Sequence, residues 1–335
     1  MGTQKWNVGI VGGSGFIGST LARHFSPSFN VRIIDIKEPK LLQGKIEFKR
    51  CDIRRYEDVK DALANLDLVI HTAIIQIPQI NEQKRLAYEV NILGTQNVCR
   101  AVDESPKAKG VILTGTWHII GERGLEGVID ESFGFRPDKV EDRARLYALS
   151  KTLQEGIVRF YDETSEKIFG VIRLGTVLGE GMPEQTAANI FIKRGLEGKP
   201  ITPYKHSMYR PMLYVDIRDV CKAFEAFSEL ILSSRATKGD NSLNHIVNVV
   251  YPEPITILEL AEIVRGAIIE LTNGKICPPI QIIDKGLPSL FSKEDKNKFR
   301  VNTEMVECLL GLNNLIHPRE SIRHIIRKEL SYKVS

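Results

Sequence analysis

Hydrophobic positions in the first half of the chain fall into two alternating kinds of segment. Short, almost unbroken apolar runs rich in β-branched residues cover 7–11, 31–36, 46–48, 68–71, 111–114 and 169–174. Between them lie helical patterns over 16–25, 56–64, 82–103 and 146–162. Continuous apolar runs predict strands buried on both faces, with the intervening helices covering them. Alternation of the two predicts an α/β fold with a doubly wound parallel sheet. Past residue 175 the pattern is mixed. Helices are expected over 187–195, 217–227 and 257–271 and strands over 212–215 and 245–249, with a turn-rich stretch at 233–241. Residues 1–175 therefore read as the sheet domain. Residues 176–335 read mainly as a smaller, interleaved lobe with some segments returning to that sheet.

The first strand runs directly into Gly12-Gly13-Ser14-Gly15-Phe16-Ile17-Gly18, a G-x-x-G-x-x-G turn opening a helix. Glycines at this spacing permit a tight turn, close backbone approach to a pyrophosphate, and close packing of helix on strand. The helix N-terminus then presents free N–H groups and a positive dipole end. Asp35 ends the second strand about 20 residues downstream, where a carboxylate accepts a ribose 2′-hydroxyl and repels a 2′-phosphate. Loop and acid together predict a Rossmann-type dinucleotide site with NAD as its cofactor.

Tyr147 and Lys151 stand four residues apart, on one face of a predicted helix. A phenol beside an ammonium and a nicotinamide can do acid–base work, the cation drawing the phenol's pKa toward neutrality.

These features resemble the extended short-chain dehydrogenases/reductases, and within them the NAD-dependent epimerase/dehydratase family of the UDP-glucose 4-epimerase type. The resemblance also rests on Cys51-Asp52-Ile53, on Val69-Ile70-His71-Thr72-Ala73, on Asn91 through Asn97, and on Val111 through Gly121. Further on it rests on Arg173-Leu174-Gly175-Thr176, on Arg210 through Asp216, and on Asn248-Val249-Val250. It implies that Gly12, Gly15, Phe16, Ile17, Gly18, Asp35, Asp52, Ile53, Thr72, Ala73, Asn91, Tyr147 and Lys151 hold NAD. It implies that Thr116, Tyr147 and Lys151 are catalytic, and that Thr116, His118, Thr176 and Arg210 border the substrate. The implied reaction moves hydride to the cofactor while Tyr147 takes a hydroxyl proton, on a nucleotide-diphosphate sugar, in a homodimer formed through the two long helices. Several positions depart from the family pattern. Trp117 and His118 replace the Asp-Glu pair of the 4,6-dehydratases, disfavouring dehydration. Ile120 replaces an aromatic, Thr176 an asparagine, and Lys205 through Tyr209 the stretch before the matched arginine. These substrate-side changes keep open a dehydrogenase or reductase of a small non-nucleotide hydroxy or keto compound. A catalytically silent NAD-binding regulator is a third reading, opposed by retention of Thr116, Tyr147 and Lys151.

Composition narrows the setting. The 335 residues carry a net charge of +4 from 46 basic and 42 acidic side chains, too balanced for a nucleic-acid binder. The whole excess equals that of residues 193–210, where Lys193, Arg194, Lys199, Lys205 and Arg210 face only Glu197. Five scattered cysteines without a C-x-x-C pair suit reduced thiols, and the histidines form no ligand cluster, so neither disulfides nor a metal is expected. No apolar run approaches the ~20 residues of a membrane span. The expected compartment is the cytoplasm.

Overall fold

The computed structural model describes residues 5–39 and 46–332. Residues 1–4, 40–45 and 333–335, which fall within the two expected segments, lie outside the described residues. Seven parallel strands form the central sheet: β1 (Asn7–Val11), β2 (Asn30–Asp35), β3 (Glu47–Arg50), β4 (Leu68–His71), β5 (Gly110–Thr116), β6 (Ile168–Leu174) and β7 (Ile246–Val249). Their order is β7-β6-β5-β4-β1-β2-β3. The direction of winding reverses between β1 and β4, the place where open α/β sheets bind ligands beyond the carboxyl ends of their strands.

Both sheet faces are covered, which is why β4, β5 and β6 are buried along their whole length. On one face the helices Phe16–Phe25 and Ile217–Leu232 pack Leu21, Phe25, Phe224 and Phe227 against Ile10, Ile70 and Ile112. On the other, Val59, Val98, Val102 and Val158 meet Val11, Val69 and Val111. A separate apolar cluster draws mainly on the later part of the chain, with Trp117, Ile119, Ile120, Leu125 and Ile129 entering it from the segment after β5. It joins Ala187–Leu196, Ile257–Leu271 and Pro318–Tyr332. The middle helix of these starts on a capping box, Thr256 with Glu259. Among the described residues, no helix is long and apolar enough to cross a membrane.

Two of the expected elements are divided in the structure, and the helices Glu304–Leu310 and Pro318–Tyr332 were not expected. The stretch 82–103 is not one helix: Gln79–Glu82, Lys84–Tyr88 and Thr95–Asp103 are α-helical, and Glu89–Gly94 forms a π-helix. Hydrophobic spacing does not report a widened turn. The stretch 212–215 is likewise divided. Pro211–Met212 pairs antiparallel with Ile255–Thr256, and Tyr214–Asp216 pairs parallel with Thr176–Leu178.

Candidate active site

The glycine loop leaves β1 at the winding reversal. Gly12 has φ +79, and a Cβ there would lie 2.5 Å from the Ala73 nitrogen. A Cβ on Gly18 would lie 2.4 Å from the Gly12 carbonyl oxygen. Backbone conformation and close packing thus require glycine at both ends of the loop. Gly15 caps the Phe16–Phe25 helix in an extended conformation without a side-chain bond, and the first turn carries no acid. The N–H groups of Phe16, Ile17 and Gly18 therefore start the helix without intrahelical acceptors, as a diphosphate cradle requires. Thr72 donates from its hydroxyl to the Val11 oxygen at 2.9 Å, tying the end of β4 to the loop. Asp35 accepts the Ser14 N–H and the Lys37 N–H, both at 3.0 Å, so its carboxylate is fixed beside the loop. These residues fit a dinucleotide.

Other cofactor-side positions are engaged within the protein. Asp52 takes a two-pronged bond from Arg54, which also reaches Glu89. Ile53 is buried, and a Cβ on Gly94 would lie 2.6 Å from its side chain. Asn91 is fully buried in the π-helix. Its amide accepts from the Ile75 nitrogen (2.7 Å), donates to the Ile75 oxygen (3.0 Å) and donates to the Ser150 hydroxyl (3.1 Å). Asn91 thereby clamps the segment after β4 to the helix that carries Tyr147.

That helix, Arg145–Thr164, brings Tyr147 and Lys151 to the end of β5. Tyr147 faces Thr116, the last residue of β5, near enough for the Thr116 hydroxyl to act on its phenol. Burial pushes the phenol up from its ordinary value, and the Thr116 hydroxyl opposes this. Lys151 is 4% exposed and donates to the Thr114 oxygen at 2.7 Å. Burial depresses its ammonium to about 7, against a smaller opposing pull from Glu155. A desolvated lysine is a weak source of positive potential near neutral pH.

His118 and Glu122 extend this group. His118 Nδ1 lies 3.1 Å from Thr116 Oγ1, and the imidazole sits edge-on to the Tyr147 ring at 5.9 Å. On its other side, His118 Nε2 is 3.4 Å from Glu122 Oε1. Burial alone would raise the Glu122 carboxyl, but the His118 bond and Arg210 outweigh it and hold it down at about 2. Arg210 is buried, 2.8 Å from Glu141 and 3.9 Å from Glu122, and its Nε has no protein partner. Thr176, half-buried, donates its N–H to the Leu213 oxygen and lies in the parallel pairing with Tyr214–Asp216. The other four cations of the basic stretch find partners nearby: Lys193 with Glu184, Lys199 with Glu197, Lys205 with Asp284, and Arg194 with the Pro200 oxygen.

Sequence reasoning missed Glu122, Glu141 and the fork between Arg173 and Glu155, whose side chains are each 1% exposed. Glu155 follows Lys151 by one turn, which was a usable signal. Glu122 offered none, because its arginine partner is 88 positions away.

Residues 8–238 match the NAD dependent epimerase/dehydratase family. The chain belongs to that family, and NAD is its cofactor. Among curated relatives it is 27% identical over 231 residues to cinnamoyl-CoA reductase 1 of Petunia hybrida, covering 64% of this chain and 66% of that protein. It is 28% identical over 236 residues to UDP-glucose 4-epimerase of Rickettsia bellii, covering 64% of this chain and 62% of the relative. The chain thus spans slightly less than two thirds of the length of either relative. The fold is shared with the UDP-glucose 4-epimerase of Thermotoga maritima crystallised with UDP-glucose, at TM-score 0.76 and 20% identity over 97% of this chain and 99% of that one.

Proposed function

We propose that this family member is an NAD-dependent epimerase or oxidoreductase of a nucleotide-diphosphate sugar. The observation that carries the proposal is the meeting of Tyr147, Thr116 and Lys151 at the carboxyl end of β5, beside the strand whose end packs against the glycine loop. NAD, when bound, supplies hydride acceptance and return. Tyr147 removes the proton of a substrate hydroxyl, and Thr116 hydrogen-bonds the same oxygen and steadies the resulting ketone. Lys151, fixed by the Thr114 oxygen, orients the cofactor's ribose side of the site. An epimerase then turns the keto sugar and takes the hydride back on its other face. Dehydration is disfavoured because Trp117 and His118 occupy the positions of the dehydratase acids.

The sugar-nucleotide assignment is supported by the relatives named UDP-glucose 4-epimerase and by Arg210, a buried guanidinium whose Nε has no hydrogen-bond partner in the protein. A second reading, oxidation or reduction of a smaller compound without a nucleotide, is favoured by one feature. Arg210 lies between Glu141 and Glu122, so the charge around it sums to negative. Exposed Tyr88, Leu93, Leu149, Leu153 and Phe160 on the two long helical segments support a second copy of this chain as partner, and the cytoplasm is the proposed compartment.

The test is a panel of UDP-, GDP- and dTDP-sugars with NAD, read by thermal shift and by product formation. Turnover of one panel member that disappears in Tyr147→Phe supports the proposal. Absence of both shift and turnover across the panel overturns it in favour of the small-substrate reading.

A further inference from the structure

Thr116, His118 and Glu122 form a directed chain that begins at Tyr147. Glu122 is 2% exposed and its carboxyl, near 2, is ionised at any working pH. A carboxylate can only accept, so the imidazole nitrogen facing it, Nε2, carries a hydrogen. In a neutral imidazole this makes Nδ1 an acceptor, and the hydroxyl 3.1 Å from it must donate. The Thr116 hydrogen is thereby directed to His118, leaving the Thr116 oxygen as an acceptor on the side of Tyr147, whose ring lies edge-on to His118 at 5.9 Å. The backbone adds to this order, since the His118 N–H also points at the Thr116 oxygen, at 3.4 Å.

We propose that His118, held by Glu122, is a proton-relay residue that takes the Tyr147 proton through Thr116. In the step, the Tyr147 O–H proton passes to the Thr116 oxygen as the Thr116 proton passes to His118 Nδ1. Tyr147 becomes a phenolate accepting from Thr116, and His118 becomes an imidazolium between Thr116 and the Glu122 carboxylate. No electrons move and no atom leaves. The phenolate then takes the substrate hydroxyl proton. In epimerisation that proton returns. In net oxidation one proton must leave, and the His118 side chain, 19% exposed, can pass it to water. The relay answers a need created by burial, which raises the phenol while leaving Lys151 only partly charged near neutrality.

The groups facing His118 are Thr116, Trp117 and Glu122 from its own segment and Tyr147 from the long helix, with Lys151 one turn further along. Arg210 and Glu141 face Glu122 from two further segments, Arg210 as an ion pair and Glu141 through its main-chain nitrogen. Histidine is the one ordinary side chain among them whose unperturbed charge changes between pH 5 and 8.

The inference rests on Tyr147 being the acid–base, as in the proposed function, and the test has one arm that needs no substrate. Nitrogen-15 NMR of the NAD-loaded protein, with the His118 signal identified by its absence in His118→Gln, reports which ring nitrogen bears hydrogen. The Nε2–H form, with an Nδ1 shift altered in Thr116→Val, is expected. The Nδ1–H form overturns the relay whatever the substrate is. The second arm measures kcat and KM against pH on the sugar nucleotide that is turned over. His118→Gln is expected to lower kcat about 100-fold at pH 7, to recover as pH rises and hydroxide replaces the histidine, and to leave KM nearly unchanged. Glu122→Gln moves kcat the same way by less. A loss independent of pH, or one confined to KM, shows a substrate contact and overturns the relay. If no sugar nucleotide is turned over, the NMR arm still decides the relay, and only the proposed substrate fails.

Discussion

Replacing Lys151 with methionine should abolish catalysis and, near neutral pH, make the cofactor-free protein more stable. The ammonium is 4% exposed and burial lowers it from 10.5 to about 7. At 1.36 kcal/mol per pH unit, that difference is about 5 kcal/mol of destabilisation carried by the charged form at and below neutral pH. Methionine is similar in length and carries no charge, but it leaves the Thr114 oxygen without the donor now at 2.7 Å, a loss of ~1–3 kcal/mol. The net expectation at pH 7 is a gain of ~2–4 kcal/mol. The pH dependence is the sharper quantity, because it does not depend on the methionine's packing. The unfolded chain binds the lysine proton more tightly than the folded one, so wild-type stability rises between about 7 and 10.5, while Lys151→Met lacks this contribution. Urea unfolding of both proteins at pH 7 and pH 9.5 should show the variant's advantage shrinking by ~3 kcal/mol. A difference between the two proteins that stays constant over this range would refute the claim that Lys151 is desolvated.

Three further outcomes are expected. Glu155→Gln leaves the buried Arg173 guanidinium without its carboxylate partner and should cost ~3–5 kcal/mol in urea or thermal unfolding. Asp35→Ser removes the acceptor of the Ser14 and Lys37 N–H groups and the charge that repels a 2′-phosphate. Calorimetry should show NAD binding weakened roughly tenfold or more and the preference over NADP reduced. Leu153→Glu places a charge on the exposed apolar face of the Tyr147 helix, where Leu153 is 50% exposed. Light scattering should find wild type dimeric and the variant monomeric, with unchanged circular dichroism.

Features set by neighbouring residues were legible in the sequence. The glycine loop, the acid ending β2 and the Tyr147–Lys151 pair each lie within one turn or one strand end, where spacing alone fixes geometry. The bounds of β1, β4 and the Phe16–Phe25 helix coincide with the apolar runs. Features decided by distant packing were not legible. The π-helix at Glu89–Gly94 brings Asn91 to Ile75 and Ser150, and a hydrophobic period cannot encode that placement. Leu213 donates no side-chain signal that would separate Pro211–Met212 from Tyr214–Asp216, yet those strands join different partners. The helix Pro318–Tyr332 went unread because its apolar stripe is narrow and its charged face wide, although Ile322, Ile325 and Ile326 are buried.

The basic stretch shows the same division in its charges. Lys193, Lys199 and Lys205 are half or more exposed and paired with nearby acids. Surface pairs of this kind are worth ~0–1 kcal/mol, so they neither fix a substrate nor resist one. Arg210 differs because it is buried, and a buried cation must be matched. Glu141 and Glu122 supply that match, which fixes the guanidinium in place. The same Glu122 holds His118. One buried carboxylate therefore stands between the buried guanidinium of Arg210 and the imidazole of His118, so the charge state of either group bears on the other through it.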